Sequence, residues 1–170
     1  MRRQNQSAVI IQAFFRGCQA RSLQKNIQRQ EFERIQATYL QNISLQLLTS
    51  LINNLKFFFD KEKDANKLVW LSQLVIKNSP NIMKQCQTEK PFTFSLAQFL
   101  SLTLCYISDT IHLPSGESKG SHWRVLEIFL NAEGWRKSVG VHTADMILGS
   151  IFFFLSRKGN IFFLLFKTLF

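Results

Sequence analysis

The sequence predicts an all-α protein, a long amino-terminal helix followed by an array of shorter ones. Three observations predict it. Apolar residues recur at three- and four-residue steps along most of the chain, the spacing that lines one side of a helix. Three prolines and seven glycines in 170 residues are too few for a turn-rich β fold. A hydrophobic fraction of 46% is enough to build a core and excludes a disordered polypeptide.

Residues 6–38 read as one helix, with Val9, Ile10, Phe14, Leu23, Ile27, Phe32 and Ile35 as its apolar positions and Ser7 as its N-cap. Residues 40–59 form the next, with a wide apolar face that includes Leu40, Ile43, Leu48, Leu55, Phe58 and Phe59. A polar break from Asp60 to Lys67 leads into a helix over 64–78, with Leu68, Trp70, Leu71, Leu74 and Val75 inward. Asn78-Ser79-Pro80 ends it, because proline disfavours helix in the residue before it. A short helical turn is expected over 81–87. Lys90-Pro91 restarts the chain, Ser95 to Gln98 fits a capping box, and Leu96, Phe99, Leu100, Leu104, Ile107 and Ile111 continue the stripe. Pro114 to Gly120 reads as a loop, after which Ser121 caps a helix through Trp123, Leu126, Phe129 and Leu130.

From His142 onward two apolar runs, Met146 to Leu155 and Ile161 to Phe166, read as a helical hairpin broken at Ser156 to Asn160. Each run is about half the 20 apolar residues that span a bilayer. Arg157 and Lys158 lie between them, which argues against a membrane anchor. Helices of this length with short polar joints suggest an armadillo- or HEAT-like α-solenoid over residues 39–170, joined to a basic helix over 1–38. Leu169-Phe170 lies inside an apolar segment, where a terminal repeat would carry a polar outer face. The array is therefore expected to be truncated and the chain to be a piece of something longer.

The formal net charge is +10, and the excess sits at the front. Residues 1–37 hold Arg2, Arg3, Arg16, Arg21, Lys25, Arg29 and Arg34 against Glu31 and Glu33. Such a segment suits an acidic partner, an anionic membrane surface or nucleic acid. It lacks a recognised nucleic-acid-binding fold, so no nucleic acid is expected. The three cysteines, Cys18, Cys86 and Cys105, give neither a disulfide framework nor a zinc spacing. Cys18 and Cys105 are expected to be buried structural thiols. No secretory signal is read at the amino terminus, so a cytoplasmic chain, with the nucleus a second location, is expected.

Ile11-Gln12, Arg16-Gly17 and Arg21 fall in the spacing IQxxxRGxxxR. This is the IQ pattern of helices that bind calmodulin or a calmodulin-like protein. On a helix, Ile11 is an apolar knob for the cleft of a calmodulin lobe, and Phe14 and Phe15 widen it. Gln12 can hydrogen-bond backbone at the lip of that cleft. Arg16 and Arg21 face an acidic partner, and Gly17 removes a side chain so that a second lobe can approach. The pattern usually closes on an apolar residue three positions after the second basic one. Here that place is Gln24, with Leu23 one step early. The alternative is a basic amphipathic helix docked on its own body.

Three blocks extend the pattern: Ser7 to Gly17 with Asn26 to Arg34; Leu55 to Phe59 with Lys67 to Leu71 and Leu74 to Ser79; and Arg124 to Phe129. In this order and spacing they resemble the amino-terminal region of the IQ-motif-containing, proteasome-associated HECT-type ubiquitin ligases, over roughly residues 7–135. The resemblance implies a regulatory and interaction region of a ubiquitin ligase, with contacts to the proteasome and to substrates made through the full-length protein. The HECT domain itself is absent, none of the three cysteines stands in its catalytic context, and no catalytic residue is expected. A stand-alone IQ scaffold and a membrane-associated helical protein are the alternatives. His112, His122 and His142 lack partners at ligand spacing, so neither a metal nor a cofactor is expected. Gly116 to Gly120 lacks the Walker spacing.

Overall fold

A computed structural model describes residues 2–38, 43–86, 90–110 and 117–130, together with residues 145 and 149. The described residues form six helices and no strand, an all-α fold. They are α1 (Arg2–Thr38), α2 (Leu45–Phe58), α3 (Ala65–Lys77), α4 (Ser79–Gln85), α5 (Lys90–Thr110) and α6 (Glu117–Leu130). The chain divides into two units, Met1–Asn42 and Ile43–Phe170.

The first unit is α1. It starts at Arg2, so Ser7 lies inside it and is not the expected cap. No glycine or proline stands between Arg2 and Ser7 to stop the helix there.

In the second unit α2 begins at Leu45, later than expected. Ser44 is extended and its Oγ accepts the Leu47 N–H at 3.2 Å, satisfying one of the unpaired donors of the first turn. Ile43 precedes that cap, and Leu40 lies outside the described residues. Phe58 is buried, whereas Phe59 is the C-cap and is half-buried.

The break at residues 60–64 is held by its own aspartates. Asp60 Oδ1 accepts the N–H groups of Glu62 and Lys63, and Asp64 Oδ2 accepts the Asp60 N–H at 3.0 Å. Asp64 is fully buried, and its other oxygen lies 3.2 Å from Lys67 Nζ, so the buried charge is paired. In α3, Leu68, Leu71, Leu74 and Val75 are buried, but Trp70 is only half-buried. The chain turns at Asn78 into α4, which starts two residues earlier than expected, with Pro80 in its first turn where no N–H is needed.

Two further caps are overturned. α5 starts at Lys90, so Ser95 lies one turn inside it, and its hydroxyl has two acceptors within reach for its one proton, Pro91 O at 3.3 Å and Asn53 Oδ1 of α2 at 3.4 Å. Pro91 is tolerated at the second position for the same reason as Pro80. α6 starts at Glu117, so Glu117–Gly120 is helical and Ser121 is internal. One glycine costs about 1 kcal/mol in a helix, less than the burial of Val125, Leu126 and Phe129 returns. Trp123 is half-buried. Ile111, residues 114–116, the hairpin expected over 142–170 and Trp135 lie outside the described residues, apart from Asp145 and Gly149, which are helical.

Helix neighbours follow a definite order. α2 packs on α5 and α3 packs on α6, while α2 also meets α3 and α5 also meets α6. An up-and-down bundle would instead place α3 beside α5. The core lies between these pairs, with Leu51 and Leu55 of α2, Leu71 of α3, Leu96 and Leu100 of α5 and Val125 of α6 almost completely buried. α5 is also long and apolar enough to cross a membrane from Pro91 to Thr110, but most of it is buried within the chain, as a core helix is.

Buried hydroxyls on these helices bond back one turn. Ser101 donates to Ala97 O, and Thr103 donates to Phe99 O. Ser72 of α3 does the same to Leu68 O at 2.8 Å and also lies 3.0 Å from Nδ1 of His122 on α6. Ser72 has a single proton, directed at Leu68 O, so Nδ1–H of His122 donates to its oxygen. The imidazole is completely buried, stands edge-on to Tyr106 of α5 at 5.2 Å, and leaves Nε2 without a partner among the described residues.

Candidate interaction helix

α1 carries every residue of the IQ pattern on 37 residues of continuous helix. With about 100° between successive residues, Ile11, Phe14, Phe15 and Cys18 fall on one strip. That strip is open to solvent at its apolar positions: Ile11 is 67% exposed, Phe14 70% and Phe15 61%. Singly exposed apolar residues are ordinary, and three together on one strip make a candidate contact surface.

Gln12, Arg16 and Arg21 are exposed as well, and Gly17 is half-buried. Arg21 follows Phe14 by seven residues, two turns along the same side. Its Nη2 lies 3.3 Å from Cys18 Sγ, which accepts from it. A methyl group added at Gly17 would meet nothing closer than the Arg21 guanidinium at 3.5 Å, an ordinary contact with a flexible tip. The helix itself therefore does not require glycine at position 17.

The electrostatics are one-sided. No acidic residue occurs before Glu31. Arg34 then binds that carboxylate through two hydrogen bonds, at 2.8 and 2.7 Å, and holds its pKa below the ordinary value through them. Arg29 donates to a neutral acceptor, Asn26 Oδ1, at 2.9 Å. Arg16, Arg21 and Lys25 thus stand on a stretch of sequence with no acidic residue, a field that attracts an acidic protein.

The expected burial of two cysteines needs correction here. Cys18 and Cys105 are half-buried thiols; of the three cysteines only Cys86 is buried, and burial pushes its pKa up to about 12. The Ser72–His122 pair has the residue types of a nucleophile and a base, and the sequence gives no sign of it because fifty positions separate the two. Both side chains are fully buried and the serine proton is engaged by Leu68 O, so the pair braces α3 against α6 and is closed to a substrate. Among the described residues no three His, Cys, Asp or Glu side chains are grouped as metal ligands.

No protein-family model matches this chain, and no solved structure matches it.

Proposed function

We propose that this chain is a non-catalytic interaction region whose α1 is a calmodulin-binding IQ helix, and that it belongs to a HECT-type ubiquitin ligase as its regulatory amino-terminal part. The observation that carries the first half is the exposure of Ile11, Phe14 and Phe15 on a helix that has no acidic residue before Glu31. An apolar strip flanked by arginines suits a partner with an apolar cleft and an acidic rim. Each phenylalanine would remove on the order of 130 Å² of apolar surface on docking, which favours binding by roughly 3 kcal/mol before ordering costs.

The ligase half rests on the sequence blocks named above. The neighbour order α2 with α5 and α3 with α6 supports the solenoid part of the reading, because two stacked helical hairpins pack first helix on first and second on second. Ile11→Glu in the full chain places a carboxylate at the centre of the strip and is expected to abolish calmodulin binding in calorimetry. Full-length chain that binds calmodulin neither with Ca²⁺ nor with chelator overturns the IQ assignment. Sequencing the transcript beyond the Phe170 codon tests the ligase assignment: an in-frame HECT domain supports it, and a stop codon there opposes it.

A further inference from the structure

α1 exposes four large apolar residues that the IQ pattern does not contain, Val9 and Ile10 ahead of it and Leu23 and Ile27 beyond Arg21. Leu23 is 63% exposed and Ile27 is 47% exposed. They are four residues apart, so they stack on one side of the helix. With about 100° per residue, their midpoint lies about 150° around the axis from the Ile11–Phe14–Phe15 strip. With 1.5 Å per residue it lies about 18 Å farther along. The two clusters therefore look in nearly opposite directions from one rigid rod.

Each cluster has its own arginine. Arg21 follows Phe14 by seven residues, and Arg16 precedes Leu23 by seven, so one guanidinium sits on each side. An open groove beside Leu23 is lined by Arg16, Gln19, Ala20, Ser22 and Asn26, which are small or polar and carry no acid. The position where the pattern would have its closing apolar residue is Gln24, which points away from this pair by about 80°.

A flat partner covers one side of a helix and leaves the other wet. We infer that α1 is enclosed from both sides by one acidic two-lobed protein of the calmodulin class, the first lobe taking Ile11, Phe14 and Phe15 and the second taking Leu23 with Ile27. The inference rests on the IQ reading above and extends the site by six residues beyond Arg21. Charge complementarity selects this occupant over a second copy of the chain, since the copy would bring the same positive helix.

The test uses the full chain, calmodulin, and the two isolated lobes of calmodulin as probes. Leu23→Ala with Ile27→Ala keeps good helix formers at exposed positions, and circular dichroism confirms that the helix is retained. The double variant is expected to weaken whole calmodulin at least about tenfold, to the affinity of the tighter isolated lobe. Gln24→Ala is expected to change it by less than about twofold. One calmodulin should bind per chain. If wild type binds and the double variant stays within about twofold of it, the second anchor is wrong and the IQ assignment stands. Two calmodulins per chain overturn the enclosure in the same way. Wild type that binds no calmodulin in either Ca²⁺ state removes the IQ assignment and this inference with it.

Discussion

Acidification from pH 7 to pH 5 should weaken the second unit through one residue, His122. Its ring is fully buried, Nδ1–H is engaged by Ser72 Oγ at 3.0 Å, and Nε2 has no acceptor among the described residues to stabilise a second proton. Burial lowers its pKa from 6.5 to about 4. The unfolded chain therefore binds this proton more readily than the folded one. The stability held by the neutral ring is complete above pH 6.5 and is lost as pH falls toward 4. Linkage gives roughly 2 kcal/mol of that loss between pH 7 and pH 5. Eleven carboxylates and two other histidines also titrate, so the readout is a difference between wild type and His122→Phe. Phenylalanine keeps the ring volume and leaves the Ser72 hydroxyl on Leu68 O. Urea unfolding at both pH values should show the wild-type midpoint falling about 1 M more than that of the variant, for a slope of roughly 2 kcal/mol per molar. Equal shifts in the two proteins would show that His122 is charged in the fold or exposed to water.

Gly17→Ala should separate stability from binding: the added methyl meets only the Arg21 tip, so α1 gains up to about 1 kcal/mol, visible as slower amide exchange, while calmodulin binding weakens. Faster exchange would place strain at position 17, and unchanged affinity would remove its role in close approach. Cys86, buried and with its thiol pKa pushed to about 12, should resist iodoacetamide until the protein unfolds, whereas half-buried Cys18 and Cys105 react in the native state. Mass mapping of native-state alkylation that finds Cys86 modified alongside them would contradict its burial.

The helical class was legible because apolar stripes repeat at helical spacing, and α2, α3 and α5 bury those stripes. Helix starts were less legible, and for one recurrent reason. Ser7, Ser95 and Ser121 read as caps, yet each lies inside a helix. A serine hydroxyl can bond back one turn, and Ser95 has Pro91 O within reach, so its presence does not fix a boundary. The working cap, Ser44, sits within a stretch of apolar spacing that runs straight through it. Trp70 reads as inward and is half-buried, because a side chain as large as an indole is rarely covered completely. The Ser72–His122 brace had no local signal at all, since packing of α3 on α6 creates it.

For the candidate interaction helix, residue types and spacing were readable from Ile11 to Arg21. Their exposure was not, since a helix with the same residues docked on its own body carries the same pattern. The pairing of Leu23 with Ile27 was hidden for a different reason. A pattern read in one dimension registers Leu23 as displaced by one position, whereas on the helix it aligns with Ile27 on the side opposite Phe14.

Calorimetric titration of calmodulin into the full chain, with Ca²⁺ and again with chelator, measures whether α1 is an interaction helix at all. Saturable binding with one calmodulin per chain, abolished by Ile11→Glu while the helix content stays unchanged, is the predicted result. An absence of heat in both conditions, or binding that Ile11→Glu leaves intact, would contradict it.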